Sequence, residues 1–562
     1  MNEGSLWIIL QRMRLPFIVI LSTYTLAMTG LLLIPGVDAN GNSFHLSIFD
    51  AFYFVTYTAT TIGFGELPFA FTHNQKIWVS ASIYLVVLGW FYSIGTLISL
   101  FQNKIFLSEI AIARFQRSVK NIEENFVIVL GYNETTREII KRMLAAKMRV
   151  VVIEMQQERA DYLQLEGFVP NVPILVKDAH NPNALEYAGI KSPYCKGVIS
   201  IFEDNALNLR ITLASKLLNP HVNVVVKATT AAEAENLRDA HADIVDNPFA
   251  IIAYQLQMAL KAPSLYKLEN WLYKTDTLES KTFSIPDTDI IICGYGRLGA
   301  TIYEMFKKNN ITPTVIEVND SRINTANYSG VNKIIHGSAD DHFYLETANI
   351  YDAKLVIIAT DNDTINLSIL STVKKMNPTA LIIARENEIT DFSIFSQAKI
   401  DRLYIPERIL IQKTTNALSN PLGDKFIRMI ALKDEAWGQA LLVNLVKNIG
   451  VNPKTYELDL TEKEAYEIHK YLKNKENTLT LGTLKLSRRD RNQKNNLLPL
   501  LILRENEEIL SPSDDTLLQI DDRILFACDS NAIDDLEYIA NNAYEFKYII
   551  SGEERKLFFN QL

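Results

Sequence analysis

One glycine-rich segment has the residue types and spacing that bind a phosphate group. Residues 294–299 read Gly-Tyr-Gly-Arg-Leu-Gly, directly after an apolar run that predicts a strand and at the start of a helical stretch. These glycines permit a tight turn and let a diphosphate approach the N-terminus of the helix. Glu317 follows roughly 20 residues further on, where an acid can accept hydrogen bonds from ribose hydroxyls.

The segment therefore predicts a nucleotide site, for NAD or an ADP-like molecule. The alternative is a Rossmann scaffold that keeps the sequence pattern and binds no nucleotide. Arg385 is predicted to contact a phosphate, with a surface salt bridge as the alternative. The predicted binding residues are Gly294, Tyr295, Gly296, Arg297, Leu298, Gly299, Glu317, Ser338, Ala339 and Arg385.

An earlier segment repeats this order with a different set of side chains. In residues 131–136, Asn133 and Thr136 replace the second and third glycines, and Glu134 adds negative charge near any phosphate. Glu154 keeps the ribose position. Two interpretations stay open: a structural turn whose threonines cap the helix, and an adenine nucleotide bound in a modified pose. On the second interpretation the binding residues are Gly131, Asn133, Thr135, Thr136, Glu154 and Asp178.

The two segments begin two copies of a longer repeat. Each copy has an apolar strand, a helix and a second apolar strand, and each continues to a proline that opens an apolar helix. Alternating strands and helices predict a parallel, doubly wound sheet, covered on both faces because its strands are so apolar. The matching elements are residues 125–132, 135–147 and 149–155 in the first copy, and 289–295, 298–308 and 314–318 in the second.

A segment near the N-terminus could coordinate a cation through its backbone. The residues Thr61, Ile62, Gly63, Phe64 and Gly65 lie between two long uncharged apolar runs. They resemble the Thr-Val-Gly-Tyr-Gly selectivity filter of potassium channels, where backbone carbonyls from four subunits replace the hydration shell of the ion. The resemblance implies a potassium-selective pore.

The segment departs from that filter in three side chains. Phe64 lacks the tyrosine hydroxyl that would bond behind the filter, Glu66 stands where Asp is usual, and Tyr57 occupies a position that is often acidic. None of the three supplies or removes a filter carbonyl, so we expect selectivity to survive. The stiffness and inactivation of the filter stay open.

The two apolar runs, residues 15–36 and 77–101, are each long enough to cross a bilayer, which takes about 20 residues. Basic residues flank the pair on its outer sides, whereas the loop at 37–76 has a single Lys. The positive-inside rule then predicts a multi-pass protein of the cell (inner) membrane with both termini in the cytoplasm. A cleaved signal peptide is the alternative for the first run, but no small-x-small cleavage site follows it.

Residues 44–60 are apolar and aromatic but too short to cross the membrane with a filter attached. They predict a re-entrant pore helix whose C-terminal partial charge favours a cation. In the second run, Gly89 and Gly95 are predicted as the gating hinge, with helix-packing glycines as the alternative.

The repeat resembles the RCK (also called KTN) domain, a Rossmann-type regulator of potassium channels and transporters. The resemblance covers about residues 120–562 and implies a cytoplasmic gating ring of eight RCK domains in a homotetramer. It also implies that the helix after each sheet crosses over and pairs the two copies. The predicted domains are a pore domain at 1–102, a linker at 103–124, a first RCK domain at 125–282, a second at 283–420 and a small C-terminal α+β lobe at 421–562.

Composition excludes some classes of protein. The formal charge of −9 argues against a nucleic-acid partner. Cys195, Cys293 and Cys528 lack metal-ligand spacing and are expected to be small buried residues. Related gating rings use carboxylate clusters for calcium, which leaves a calcium site open here, with solvated turns as the alternative. The acidic pairs are 340–341, 514–515, 521–522 and 534–535.

The combination predicts a ligand-gated potassium channel and not an enzyme. Two alternatives come from other classes of protein. A non-conducting RCK subunit of a potassium transporter would have no filter. A membrane-anchored NAD-dependent dehydrogenase would need a catalytic domain, yet the second half of the chain repeats the first.

Overall fold

The structure, a computed structural model, describes residues 3–102, 104–328, 330–387, 392–398, 400–505 and 507–553. Residue 103 of the predicted linker and residues 554–562 of the predicted C-terminal lobe lie outside the described residues. The chain divides into two compact units, Met1–Ile122 with Tyr187–Gly189, and Glu123–Glu186 with Ile190–Leu562.

The first unit contains two long apolar helices with a short helix between them. The stretches Arg14–Leu33 and His73–Ser99 are long and apolar enough to cross a membrane. Ser47 caps the short helix by accepting a hydrogen bond from the Asp50 N–H at 3.1 Å. The elements are α1 (Glu3–Leu33), β1 (Gly36–Val37), β2 (Ser43–Phe44), α2 (Ile48–Ala59), α3 (His73–Phe101) and α4 (Lys104–Lys120).

The first copy of the repeat is a six-stranded parallel sheet with the order β5-β4-β3-β6-β7-β8. Its central strand, residues 126–130, is buried along its whole length, as predicted for a sheet covered on both faces. The elements are β3 (Phe126–Leu130), α5 (Glu134–Ala145), β4 (Arg149–Glu154), α6 (Gln157–Leu165), β5 (Ile174–Val176), α7 (Pro182–Tyr187), β6 (Cys195–Ser200), α8 (Asn205–Leu218), β7 (Asn223–Lys227), α9 (Ala231–Asp239), β8 (Ile244–Asp246), α10 (Pro248–Lys261) and α11 (Pro263–Leu272).

The second copy repeats this topology, with the strand order β11-β10-β9-β12-β13-β14, all parallel. The prediction of two doubly wound parallel sheets is therefore confirmed. The elements are β9 (Ile290–Cys293), α12 (Arg297–Lys308), β10 (Thr314–Glu317), α13 (Asp320–Tyr328), β11 (Ile334–His336), α14 (His342–Thr347), a 3₁₀ turn (Ile350–Asp352), β12 (Leu355–Ile358), α15 (Asp363–Met376), β13 (Leu381–Arg385), α16 (Phe392–Gln397), β14 (Arg402–Tyr404), α17 (Pro406–Ser419) and α18 (Pro421–Ile430).

The helix after each sheet packs on the other copy. Helix α10 of the first copy lies against α12 of the second, and α17 of the second lies against α5 of the first. Gly197 in β6 permits this approach, because a Cβ there would lie 2.9 Å from the Leu418 side chain of α17. The apolar faces of both crossover helices are part of the cores that they join. The two copies are therefore packed as an interlocked pair.

A four-stranded antiparallel sheet with the order β15-β18-β16-β17 follows the second copy. Cys195, Cys293 and Cys528 are all buried and free, and burial raises the pKa of each thiol to about 12. The elements of this lobe are α19 (Glu435–Asn448), β15 (Lys454–Asp459), α20 (Tyr466–Leu472), α21 (Leu481–Leu484), β16 (Leu497–Arg504), β17 (Glu507–Leu510), β18 (Arg523–Cys528), α22 (Ser530–Asn541) and α23 (Ala543–Ser551).

Candidate functional sites: a filter segment and a nucleotide cleft

The predicted filter begins directly after the short helix α2. Every second residue has a left-handed backbone, with φ of 60° at Thr61, 65° at Gly63 and 72° at Gly65. In an extended strand successive carbonyls point in opposite directions. A left-handed conformation at every second residue turns the carbonyls of this segment to the same side. The N–H groups of Ile62 and Gly63 donate to the carbonyl of Tyr57 at 2.9 and 3.2 Å, which fixes the segment to the end of α2.

An aromatic cluster lies behind the filter. The Tyr57 ring lies edge-on to Phe64, with ring centroids 6.4 Å apart, and also contacts Tyr53 and Phe54. The Tyr53 hydroxyl donates to Glu66 at 3.1 Å. Sequence reasoning missed Tyr53; a tyrosine one helical turn before Tyr57 and an acid just after the filter were the available signals. This bond supplies a polar link beside the filter although Phe64 has no hydroxyl.

The two predicted hinge glycines have different surroundings. A Cβ at Gly89 would lie 2.9 Å from the side chain of Thr23 on α1, so this glycine permits close packing of the two helices. A Cβ at Gly95 would meet no described heavy atom within 4 Å. Packing within the chain therefore explains the glycine at 89, whereas at 95 the hinge stays a prediction with helix packing as the alternative.

The glycines of the second copy lie at the turn from β9 into α12. Gly294 has φ of 97°, a conformation that side chains with a Cβ rarely adopt. A Cβ at Gly299 would lie 2.0 Å from the Gly294 carbonyl oxygen, so this glycine permits the helix to approach the turn. Gly296 is the N-cap of α12, and no described side chain caps this helix. The N–H groups of its first turn are therefore open to a ligand.

Three arginines surround a cleft of about 280 Å³ beside this turn. Arg297 begins α12, Arg322 lies on α13 and Arg385 ends β13. Arg322 bonds to Asp361 at 2.7 Å. Sequence reasoning missed Arg322, although its place shortly after the acid of β10 was a signal. The lining residues are Tyr295, Gly296, Arg297, Ala300, Arg322, Thr325, Ala359, Asp361 and Arg385.

The predicted ribose acceptor, Glu317, is buried and already bonded to backbone. Its carboxylate accepts hydrogen bonds from the N–H groups of Tyr295 at 2.6 Å, Val318 at 2.9 Å and Asn319 at 2.8 Å. A carboxylate has about four lone-pair sites, so one is left for a ribose hydroxyl. Glu317 therefore shapes the turn, and it lies 4.0 Å from Arg322, which lines the cleft.

Arg385 is the most buried of the three arginines, with 8 % of its surface exposed. Burial lowers the pKa of its guanidinium; the Arg297 charge acts in the same direction, and Glu407 opposes both. Its Nε is buried and has no hydrogen-bond acceptor among the described residues. Such a group gains from an anionic ligand.

The remaining predicted residues of this copy lie elsewhere. Leu298 is in the core behind the turn. Ala339 is buried in the opposite core cluster, and the Ser338 hydroxyl donates to Asp340. None of these three is among the described residues that line the cleft.

The equivalent turn of the first copy is capped by its own side chains. Asn133 accepts from the Thr136 N–H at 2.9 Å, and the Asn133 N–H donates to the Thr136 hydroxyl at 2.8 Å. This capping box occupies helix donors that a phosphate would need. A Cβ at Gly131 would lie 2.8 Å from the Phe202 ring, which covers the turn. Thr135 takes no part in the capping box.

The polar groups around that turn also have partners. Glu154 accepts from the N–H groups of Tyr132 at 2.6 Å and Gln156 at 2.8 Å. Asp178 is bonded to His180 at 2.7 Å. Lys227, which ends β7 where Arg385 ends β13, pairs with Glu203.

The acidic pairs are occupied by basic side chains or by helix ends. Asp514 pairs with Lys485 and with Lys494, and Asp341 caps α14. Asp522 pairs with Arg504 and Asp535 with Arg488, both at 2.8 Å. Among the described residues no three His, Cys, Asp or Glu side chains are grouped as a metal site. These ion pairs favour the structural alternative for the carboxylates.

The chain matches two families. Residues 127–248 and 290–406 match the TrkA-N domain, and residues 17–103 match an ion channel domain. Potassium channel protein 1 of Methanocaldococcus jannaschii is 25 % identical over 41 % of this chain and 67 % of that protein. An uncharacterized protein of Methanothermus fervidus is 28 % identical over 42 % of this chain, and the match spans only 36 % of that relative.

A solved structure of the GsuK channel bound to NAD has the same overall fold. The alignment covers 95 % of this chain and 99 % of that chain, with a TM-score of 0.50 and 13 % identity. At this identity the likeness concerns the fold alone.

Proposed function

We propose that this chain, which belongs to the two-transmembrane potassium channels with TrkA-N (RCK) domains, conducts potassium under the control of a cytoplasmic nucleotide. The observation that carries the conduction half is the alternating backbone at Thr61, Gly63 and Gly65. Rings of carbonyls in this arrangement replace the hydration shell of potassium.

The pore requires four chains. One chain supplies one strand of the filter, and its Ile62 and Phe64 side chains are more than half exposed. A homotetramer brings four such strands around one axis and covers them. The apolar faces of α1 and α3 that stay outside then face the lipid bilayer.

The nucleotide binds in the second copy. Support comes from the uncapped N-terminus of α12, the three arginines of the cleft and the unpartnered Nε of Arg385. The GsuK channel, which has the same fold, is known bound to NAD. The capped turn of the first copy serves as a structural element.

Nucleotide binding reaches the pore through the paired copies. Helix α10 of the first copy packs on α12, whose N-terminus lines the cleft, so a shift of α12 moves the first copy. Helix α4 has no Gly or Pro and is helical from residue 104 to residue 120, so this part of the predicted linker is stiff along its length.

The energy that this mechanism requires is modest. Changing the open fraction of a pore from 1 % to 99 % takes about 5.5 kcal/mol. Shared among four subunits, this is about 1.4 kcal/mol each, or roughly a tenfold difference in nucleotide affinity between the two states.

Single-channel recording in planar bilayers under a potassium gradient tests both halves. NAD and ADP are added in turn to the side of the RCK domains. A potassium-selective current whose open probability changes with a nucleotide supports the proposal and gives the sign of control. The matched control is Gly63→Ala, whose side chain is strained at φ of 65° and should abolish the current. Absence of current from verified wild-type tetramers contradicts conduction and favours a non-conducting subunit.

A further inference from the structure

The strand order fixes where the two halves of a dinucleotide would lie in the second copy. A dinucleotide lies across the carboxyl ends of the strands, at the point where the strand order reverses. Here that point is between β9 and β12. Glu317 at the end of β10 marks the adenosine side, so the second nucleoside would extend over the ends of β12 and β13.

That second side is occupied by two fixed cations. The guanidinium carbons of Arg297 and Arg385 lie 4.9 and 5.2 Å from the ring centroid of Phe249. Phe249 is buried and belongs to α10, the crossover helix of the first copy. Each guanidinium is attracted to the Phe249 ring, and this cation–π contact restricts the movement of both side chains.

The charges on the two sides differ. On the adenosine side, Arg322 has Asp361 at 2.7 Å and Glu317 at 4.0 Å, so its charge is compensated. On the other side, Arg297 has the carboxylate of Glu203 at 4.0 Å, which also pairs with Lys227. The charges of Glu407, Asp361 and Asp363 act on Arg385. Arg385 keeps a buried Nε without an acceptor among the described residues.

These cations suit phosphate oxygens and oppose a positively charged ring. The oxidised nicotinamide of NAD⁺ carries a positive charge, and placing it beside Arg297 and Arg385 is repulsive. The terminal phosphate of a nucleoside diphosphate or triphosphate carries one more ionisable oxygen than the esterified phosphate of a dinucleotide, and it accepts charge-assisted hydrogen bonds from the same guanidiniums.

We propose that this cleft selects a nucleoside diphosphate or triphosphate over NAD⁺, with Arg385 as the residue that determines the choice. The inference rests on the proposed nucleotide site. Phe249 is a positioning residue, because it acts through the two arginines and is itself buried.

Isothermal titration calorimetry on the full-length channel in detergent tests the inference, with ADP, ATP, NAD⁺ and NADH as ligands. We expect ADP and ATP to bind at least about tenfold more tightly than NAD⁺, and NADH, whose nicotinamide ring is uncharged, to bind with an affinity between them. Arg385→Lys keeps the charge but loses the planar fork, and the first copy has Lys227 at this position, so the variant should fold. It should weaken ADP binding about tenfold and NAD⁺ binding much less, so the preference is lost.

Two further variants separate selection from a general loss of structure. Arg238→Lys, on the exposed face of α9, is the matched control and should leave all four affinities unchanged. Phe249→Leu should reduce the preference for ADP in the same direction as Arg385→Lys, by a smaller factor.

The outcomes distinguish this inference from the proposed function. NAD⁺ binding to the wild-type channel as tightly as ADP overturns the inference and leaves the nucleotide site in place. An unchanged ratio of ADP to NAD⁺ affinity in Arg385→Lys also overturns it. Failure of all four ligands to bind the wild-type channel overturns the site itself.

Discussion

The two copies of the repeat have the same strand order and the same buried acid, but the turn between the first strand and the first helix is built differently in each. In both copies the acid of the second strand accepts the N–H that follows the first glycine, from Tyr132 and from Tyr295, at 2.6 Å. In the first copy a capping box closes the helix N-terminus. In the second the N-terminus is uncapped by described side chains and faces three arginines. The fold thus requires the acid and the turn, whereas a ligand requires the free helix donors.

Contacts between the two copies show that the site in the second copy depends on residues of the first. Phe249 of the first copy contacts Arg297 and Arg385 beside the cleft of the second, and Glu203 of the first lies 4.0 Å from Arg297. A ligand in the second copy would therefore also act on residues of the first.

The largest expected effect comes from comparing Gly299, the third glycine of the second copy, with Thr136 at the same position of the first copy. Gly299→Val places a Cβ 2.0 Å from the Gly294 carbonyl oxygen, so we expect a loss of about 4 kcal/mol or more of stability. Thr136→Ala removes one capping box and should cost about 1 kcal/mol. Thermal unfolding of the full-length chain in detergent measures both. Equal losses in the two variants would contradict the different roles of these positions.

The second prediction concerns the middle position of each turn. Gly296→Leu fills the cleft next to Arg322, so a nucleotide at a hundred times its Kd should no longer add about 2.7 kcal/mol of stability. Conduction should persist without a nucleotide response. Asn133→Leu should lower the basal stability by about 1 kcal/mol through the lost cap.

The two variants are compared by thermal unfolding with and without ADP. The stabilisation by ADP should survive Asn133→Leu and vanish in Gly296→Leu. An Asn133→Leu channel that also loses it would place a ligand in the first copy.

The third prediction concerns the residue that ends the last parallel strand of each copy, which is Asp246 in the first copy and Tyr404 in the second. Burial raises the pKa of Asp246 to about 6, against the pull of Lys413. The folded chain thus holds the proton more tightly than the unfolded chain. The resulting stabilisation is complete below about pH 4 and is lost as the pH rises through 6.

Asp246→Asn should therefore flatten the fall in stability between pH 5 and pH 7, by an amount on the order of 1 kcal/mol. Melting temperatures at both pH values, for the variant and the wild type, give the difference. Glu457, whose pKa burial raises to about 7, titrates in both proteins and cancels. Parallel pH profiles would show that Asp246 keeps its ordinary pKa.

The smallest expected effect tests the link between the copies. Glu203→Gln removes the carboxylate that lies 4.0 Å from Arg297, so a nucleotide phosphate no longer competes with Glu203 for this arginine. An exposed ion pair is worth about 0.2 to 1 kcal/mol, so ADP affinity should rise by a factor of about 5 at most. Glu166→Gln, which removes the partner of Arg137, is the control and should leave ADP affinity unchanged. Weaker ADP binding in Glu203→Gln would mean that Glu203 supports the site.

The sequence by itself determined the features that depend on neighbouring residues. The filter glycines, the two apolar spans and the strand-turn-helix around Gly294 are local, because their backbone conformations are set by residues within a few positions. The repeat then determined the class of sheet, since alternating apolar strands and helices have few ways to pack.

Only the tertiary structure decided which side chains meet at the cleft and behind the filter. Arg322, Phe249 and Glu203 come from three different elements, and Tyr53 meets Glu66 across the turn that contains the filter. The capping box at Asn133 also left two interpretations open in the sequence, because a polar residue there can cap a helix or face a ligand. Packing of the crossover helices brings Phe249 and Glu203 of the first copy to the arginines of the second, since burial of apolar surface, which is not directional, joins residues far apart in the chain.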